Sequence, residues 1–592
     1  NVTDMSLMFS LAKSFNEKIS GWKTHNVTDM SNMFSFATEF NQDIGGWKTH
    51  NVTDMHNMFA LARTFNQDIS SWDVSSVENM NMMFSLAIYF NRDISSWDVS
   101  SVKDMSSMFN QAIVFNQNLF AWGNRLKTDV IMTDMFQGAI TLQTIFQNIP
   151  DSPTRNGWPN YWKTYKFTSR VELDDAINMW YNDNTNALKK YDDINTWNVI
   201  EITDMSRLFE GKTTFNGDIS NWNVWNVTDM SYMFSNATSF NQDLNNWDVS
   251  RVTDMSFMFS IRTEDDRTRN INNNIIKIHK TAFNKNSRSA RSLRDEIIEE
   301  IHKIVDDLYA QFFDGSIPMK FNGNISKWNP QNVKNMTAMF NGASSFNQDI
   351  SIWDVSKVEV MKGMFYGAQS FNKDIGGWHV SKVTDMSWMF TLATTFNQSL
   401  KNWDVSNVTD MSFMFLLAKS FNKDINGWDV SKVRDMNRMF MAATIFNQDI
   451  SSWPVSKVTD MSAMFCLAPA FNQNLNNWPV SKVTDMNNMF CLAIDFNGDI
   501  SSWPVSKVTD MSSMFTVAIE FNQDLKNWDV SSVTDMSYMF SNATDFNQNL
   551  FAWGNILNPD VIMTDMFQGA SALRISFPVP ESPDSQNWHT YW

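Results

Sequence analysis

Apolar residues recur along most of this chain on a fixed 25-residue step. In the stretch 26–50, NVTDMSNMFSFATEFNQDIGGWKTH, Met30 is followed by Met33, Phe34, Ala37 and Phe40 at offsets of 3, 4, 7 and 10. That spacing marks one face of a short helix. Thr28 and Asp29 precede it, where an N-cap belongs. After Phe40 the period changes. Residues 41–47 hold Ile44 and run through Gly45 and Gly46 to Trp47, which predicts a brief extended segment and a turn. One unit therefore reads as a short strand, a turn, a second extended piece through Val27, and a short helix.

The consensus V-T-D-M-S-x-M-F-x-x-A-x-x-F-N-x-D-I-S-x-W-D-V-S-x occurs five times from Asn1 and twelve times between Met205 and Met536. A unit this small cannot bury its own apolar face, so units must stack on one another. Stacking predicts a solenoid with short parallel strands on one side and short helices on the other. Fixed side chains then become columns. Asn16, Asn41, Asn66, Asn91 and Asn116 each follow a Phe, and an Asn at one place in every rung can hydrogen-bond the backbone of the next. The Met and Phe rows read as core, Met because it fills irregular gaps. The Trp row (Trp22, Trp47, Trp72, Trp97) reads as a buried column, with an aromatic sugar-binding strip as the sharper alternative.

Departures from the period divide the chain. Residues 551–592 closely repeat 120–162, both opening F-A-W-G-N and ending in a Trp/Tyr-rich segment. A repeat array needs an atypical last rung to cover its core. The expected organisation is a five-repeat array at 1–118, its C-terminal cap at 119–165, a helical N-terminal cap at 166–196, a twelve-repeat array at 197–549, and a second C-terminal cap at 550–592. Trp158, Tyr161 and Trp162 would plug the first array; Trp588, Tyr591 and Trp592 would plug the second. Asn1 already stands inside a repeat, so the first rung is expected to meet further repeats or another subunit. An insert at 262–318 breaks the second array. Its stretch 292–314 sets Leu293, Ile297, Ile301, Ile304, Leu308 and Phe312 on one stripe, an amphipathic helix. Such a helix docks on the array or carries a partner or self-association contact.

Charge and chemistry narrow the picture further. A net charge of −18 opposes nucleic-acid binding, which needs a basic face. No apolar run approaches ~18 residues, so no membrane span is expected. His25 and His50 share a repeat position and read as turn residues, and no zinc spacing appears. No phosphate loop, nucleophile elbow or HExxH is present, so no catalytic residues, cofactor sites or metal sites are assigned and the chain is expected not to be an enzyme. The Asp rows would repel, and either the Lys row at Lys382, Lys432, Lys457, Lys482 and Lys507 or calcium would offset them. Cys466 and Cys491 stand 25 residues apart. Stacking would bring their α-carbons to ~5 Å, within reach of a disulfide; two buried thiols are the alternative. Sequons such as Asn26, Asn51, Asn226 and Asn407 would accept glycans if the chain is secreted.

The stretch WDVSSVTDMSYMFSNATDFNQNL (528–550) resembles the repeat of BspA-like leucine-rich-repeat surface proteins, in its V-T-D-M, M-F, F-N and W-D-V-S elements. That resemblance implies a leucine-rich-repeat-type solenoid and a surface role in adhesion or structure, with no shared active site. The expected function is a non-catalytic adhesive or binding scaffold at the cell surface, or at a virion surface, meeting protein or glycan ligands. The alternative is a fibre, filament or coat subunit assembling through the array ends and the 262–318 insert. The expected contact sites are the two positions before the Trp and the x of M-S-x-M-F.

Overall fold

The computed structural model describes residues 2–123, 125–146, 149–162, 165–261, 290–312 and 318–592. The chain divides into two compact units. The first holds Asn1–Lys166 and Asn184–Asn198; the second holds Phe167–Asp183 and Val199–Trp592.

The repeats stack, but not as the expected leucine-rich-repeat-type solenoid of strands and helices. Among the described residues there is no β-strand. Parallel pairing is reduced to one bridge per rung, such as Asp29↔Asp54 and Asp485↔Asp510. No described rung contains an α-helix either; the predicted helical stretch is a chain of overlapping turns.

The backbone explains why. The amides of Met33, Ser35 and Ala37 donate to carbonyls three residues back, those of Met30, Asn32 and Phe34. The alternate amides of Met30, Asn32, Phe34 and Phe36 donate to the next rung, at the carbonyls of Asp54, His56, Met58 and Ala60. An α-helix would use every amide internally. Two left-handed residues per rung, Asn32 at φ 56° and Phe36 at φ 61°, also interrupt any right-handed helix. The helical offsets are nevertheless real: Met30, Met33, Phe34, Ala37 and Phe40 all point inward and are fully buried. The turns reproduce the inward spacing of a helix while sending half their hydrogen bonds between rungs.

The segment expected to be a strand uses side chains in place of a backbone ladder. The Asn41 amide donates to Asn16 Oδ1 at 2.9 Å, and the Asn66 amide donates to Asn41 Oδ1 at 2.9 Å. The same contact recurs in the second unit, as from Asn447 to Asn422 at 3.0 Å. Along the uninterrupted rungs the Trp indole Nε1 donates to a carbonyl 28 residues back, as Trp72 does to Ile44 and Trp478 to Ile450. Rings stack from rung to rung: Phe34 and Phe59 lie 5.6 Å apart, Trp72 and Trp97 6.4 Å. The buried core of each unit is thus a set of parallel columns of Met, Phe, Val, Ile and Trp.

Helices lie outside the rungs. In the first unit these are α1 (Ile140–Ile145), α2 (Trp158–Tyr161) and α4 (Asn184–Tyr191). In the second they are α3 (Arg170–Asn182), α5 (Ala290–Phe312) and α6 (Ser571–Ser576). Ser169 caps α3 by accepting from the Glu172 amide. Leu173, Ala176 and Ile177 are buried beneath it, and Arg170 reaches the Ser206 carbonyl at 2.6 Å. The insert leaves the stack intact. Phe259 pairs with Phe321 across it at 3.8 Å, as Phe234 pairs with Phe240 at 4.0 Å inside an unbroken unit.

Candidate interaction face

The two left-handed positions of each rung define one lateral face. The first is the x of M-S-x-M-F; the second lies four residues later. In the opening rungs of the second unit the x residues are Arg207, Tyr232 and Phe257. The Arg207 guanidinium lies 4.0 Å over the Tyr232 ring, which stacks on Phe257 at 4.6 Å. The hydrogen bond that Arg207 donates to Glu210 raises the Arg207 pKa and keeps the cation in place. Near the Trp corner, Arg251 lies 4.1 Å over Trp225, which is 43% exposed. In each stack the ring quadrupole attracts the cation to the aromatic face.

Further along the second unit, α5 covers the face. Its Ile301, Val305 and Leu308 are buried in a separate apolar cluster with Leu392, Leu417, Leu467 and Leu492. Ile297 and Ile304 pack at its edge. Leu293 and Phe312 complete the predicted stripe, but their side chains lie outside those described, as do residues 262–289 and 313–317 of the insert. Ion pairs pin both ends of the helix: Arg294 to Asp495 at 2.6 Å, and Asp306 to Lys419 at 2.5 Å. The stripe was legible in the sequence; its seat was not. The missed signal is the second left-handed position, apolar from Leu392 to Val517 in consecutive units.

Cys466 and Cys491 lie under α5, fully buried, as free thiols. Their rungs are adjacent, joined by the Leu467 amide donating to the Cys491 carbonyl at 2.8 Å. A hydrogen bond with Cys466 and, after it, burial push the Cys491 thiol pKa well up, so Cys491 stays protonated and unreactive.

The capping residues extend the Trp column. Trp158 and Trp588 are buried and donate Nε1 to the carbonyls of Leu119 and Leu550, both at 3.0 Å. Trp162 meets Phe136 and Phe146 edge-on, and Trp592 does the same to Phe567. Tyr161 lies 3.2 Å from Thr154 Oγ1, and Tyr591 donates to Asp584 at 2.8 Å.

Each bridge-row Asp accepts the amide two residues on, as Asp485 does from Asn487 at 2.9 Å. Burial pushes the Asp435 and Asp485 carboxyls above their ordinary value, and the neighbouring carboxylates add to the shift. Among the described residues no three His, Cys, Asp or Glu side chains gather as metal ligands. His25 and His50 are exposed. The sequon residues Asn51, Asn226 and Asn407 donate Nδ2 to carbonyls of the preceding rung, at 2.7–2.8 Å. No described helix is long and apolar enough to cross a membrane.

The profile of one family, described as Mycoplasma protein of unknown function, DUF285, matches residues 1–78, 44–149, 175–295, 281–401, 373–478 and 467–578. No curated protein and no solved structure matches the chain at a significant level.

Proposed function

Because the chain belongs to the DUF285 family, whose own description leaves function open, we propose that it is a non-catalytic binding scaffold at an outer surface. Cells are the favoured setting and virions the alternative. Protein or glycan ligands would be held by many weak contacts along the lateral face. The observation that carries this reading is the contrast between interior and face. Interior columns keep Met, Phe and Trp rung after rung, while the x position runs through Asn32, Met82, Arg207, Tyr232 and Trp388. The resemblance to BspA-like surface proteins supports the same setting. A fibre or coat subunit assembling through the insert is less well supported, because α5 already buries its stripe on the chain's own rungs.

The test is binding of the full chain to intact cell surfaces and to a glycan panel. Saturable binding should weaken about tenfold with Tyr232→Ala combined with Trp225→Ala, as truncated aromatic anchors do. Glycan turnover, or binding indifferent to these substitutions, would overturn the proposal.

A further inference from the structure

The second left-handed position of each rung shows where a helix lies. Left-handed backbone suits Gly and Asn and disfavours large L-residues. Elsewhere in the second unit the position holds Gly211, Asn236, Gly342, Gly367 and Asn542 at positive φ, and Ile261 without it. Under α5 the same position holds Leu392, Leu417, Ala442, Leu467, Leu492 and Val517, all at positive φ and all buried with the helix. Apolar side chains stand on that unfavourable backbone where a helix buries them.

The first unit repeats the covered pattern with no described helix on top. Leu11, Phe36, Leu61 and Leu86 occupy the position in four consecutive rungs, at φ 59–64°, before Gln111 ends the row. Phe36 is 40% exposed, and Met82, at the first left-handed position two rungs on, is 38% exposed, although both stand in rungs flanked on either side. Leu61 and Leu86 are half-buried. Ser35, Ala60 and Ser85 beside them are small and buried. Among the described residues of this unit no helix lies on the row.

Charges follow the same register. Lys419, which holds Asp306 of α5, directly follows the Ala of its rung. Lys13 and Arg63 occupy that place in the first unit, exposed and in no ion pair among the described residues. Asp495, which holds Arg294, has Glu39 as its counterpart.

We infer that this face of the first unit docks a single amphipathic α-helix from a separate protein, apolar along one stripe and acidic beside it. Four rungs at ~4.8 Å span ~14 Å, which about ten helical residues cover. The mode is a helix laid in a groove, anchored at i, i+4 and i+7. The chain's own striped helix is already seated on the second unit, and the unbroken 25-residue step leaves the first unit no insert of its own. The inference stands apart from the surface-scaffold reading, since such a face serves a partner in any location.

The probe is a labelled peptide of residues 290–312, which carries the required stripe and acidic flank, titrated into the full chain with α5 in place. Saturable binding is expected, weakened at least tenfold by Leu61→Gly with Leu86→Gly. Glycine relieves the left-handed backbone, so this variant folds and loses only the apolar contact. Lys13→Glu with Arg63→Glu should weaken binding and flatten its salt dependence. Absence of binding overturns the inference. Binding that survives the glycine pair but fails in Leu467→Asp also overturns it, because the peptide then displaces α5 on the second unit. Dimerisation of the chain alone, abolished by the glycine pair, assigns the face to a second copy and overturns the separate partner.

Discussion

Replacing Asp485 by Asn should stabilise the protein at neutral pH and leave it unchanged in acid. Asp485 stands between Asp460 and Asp510 in a column bridged rung to rung. Burial, and then the two carboxylates, hold its carboxyl above the ordinary value. Unit charges one rung apart, ~4.8 Å, repel by ~0.9 kcal/mol in water and ~3.5 kcal/mol at an effective dielectric of 20. Asp485 is partly exposed, so the lower end applies. Asn keeps the Oδ1 that accepts the Asn487 amide and adds a donor. The chain already uses this solution twice: Asn335 Nδ2 donates to Asp254 at 3.2 Å and Asn79 Nδ2 to Asp54 at 3.4 Å. Relief of repulsion plus one hydrogen bond gives an expected gain of about 1–2 kcal/mol.

The sign follows from the direction of the shift. A carboxyl raised in the folded state favours folding while protonated, below the unfolded value of about 3.9. That contribution disappears as pH rises through the raised folded value. Asn does not titrate, so the variant should exceed wild type at pH 7 and match it at pH 3. Urea unfolding followed by circular dichroism at both pH values measures this. An unchanged or lower midpoint at pH 7, or an equal gain at pH 3, would refute the repulsion argument. Asp354 and Asp429 behave oppositely. Hydrogen bonds from Ser356 and Ser431 lower their carboxyls, so their contribution is present at neutral pH and lost as pH falls.

Asn422→Ala removes the acceptor of the Asn447 amide and of Gln448 Nε2; it should cost about 1–3 kcal/mol and speed hydrogen exchange at Asn447. Trp478→Phe leaves the Ile450 carbonyl without its indole donor at 2.9 Å and should lower the urea midpoint by a similar amount. Cys466 and Cys491 should resist a thiol reagent in the native protein and both react in Leu308→Asp, which drives α5 off them; thiols still shielded in that variant would show that α5 is not their cover.

The repeat period, the inward rows from Met30 to Trp47 and the Asn ladder follow from residue spacing alone. The turn backbone does not, because inward offsets of 3, 4, 7 and 10 suit a helix and a chain of overlapping turns equally. Local residues could have separated the two: Gly363 and Gly367 fall on the left-handed positions of one unit, and Asn32, Asn57 and Asn488 on those of others. The strand expected before each Trp failed for another reason. Its pairing runs through Asn side chains, which no β-propensity describes. The docking of α5 needed a long-range fact, the concentration of apolar residues at one position between Leu392 and Val517.

Hydrogen bonds between rungs point along the stacking direction, so tension along that direction on the second unit would pull them apart one rung at a time. α5 lies across those rungs, with Arg294 gripping Asp495 at one end and Asp306 gripping Lys419 at the other. Rungs beneath it share load as a bundle, and those beyond it yield singly. The helix acts as a splint, and the rungs it spans should be the last to come apart when the chain is pulled.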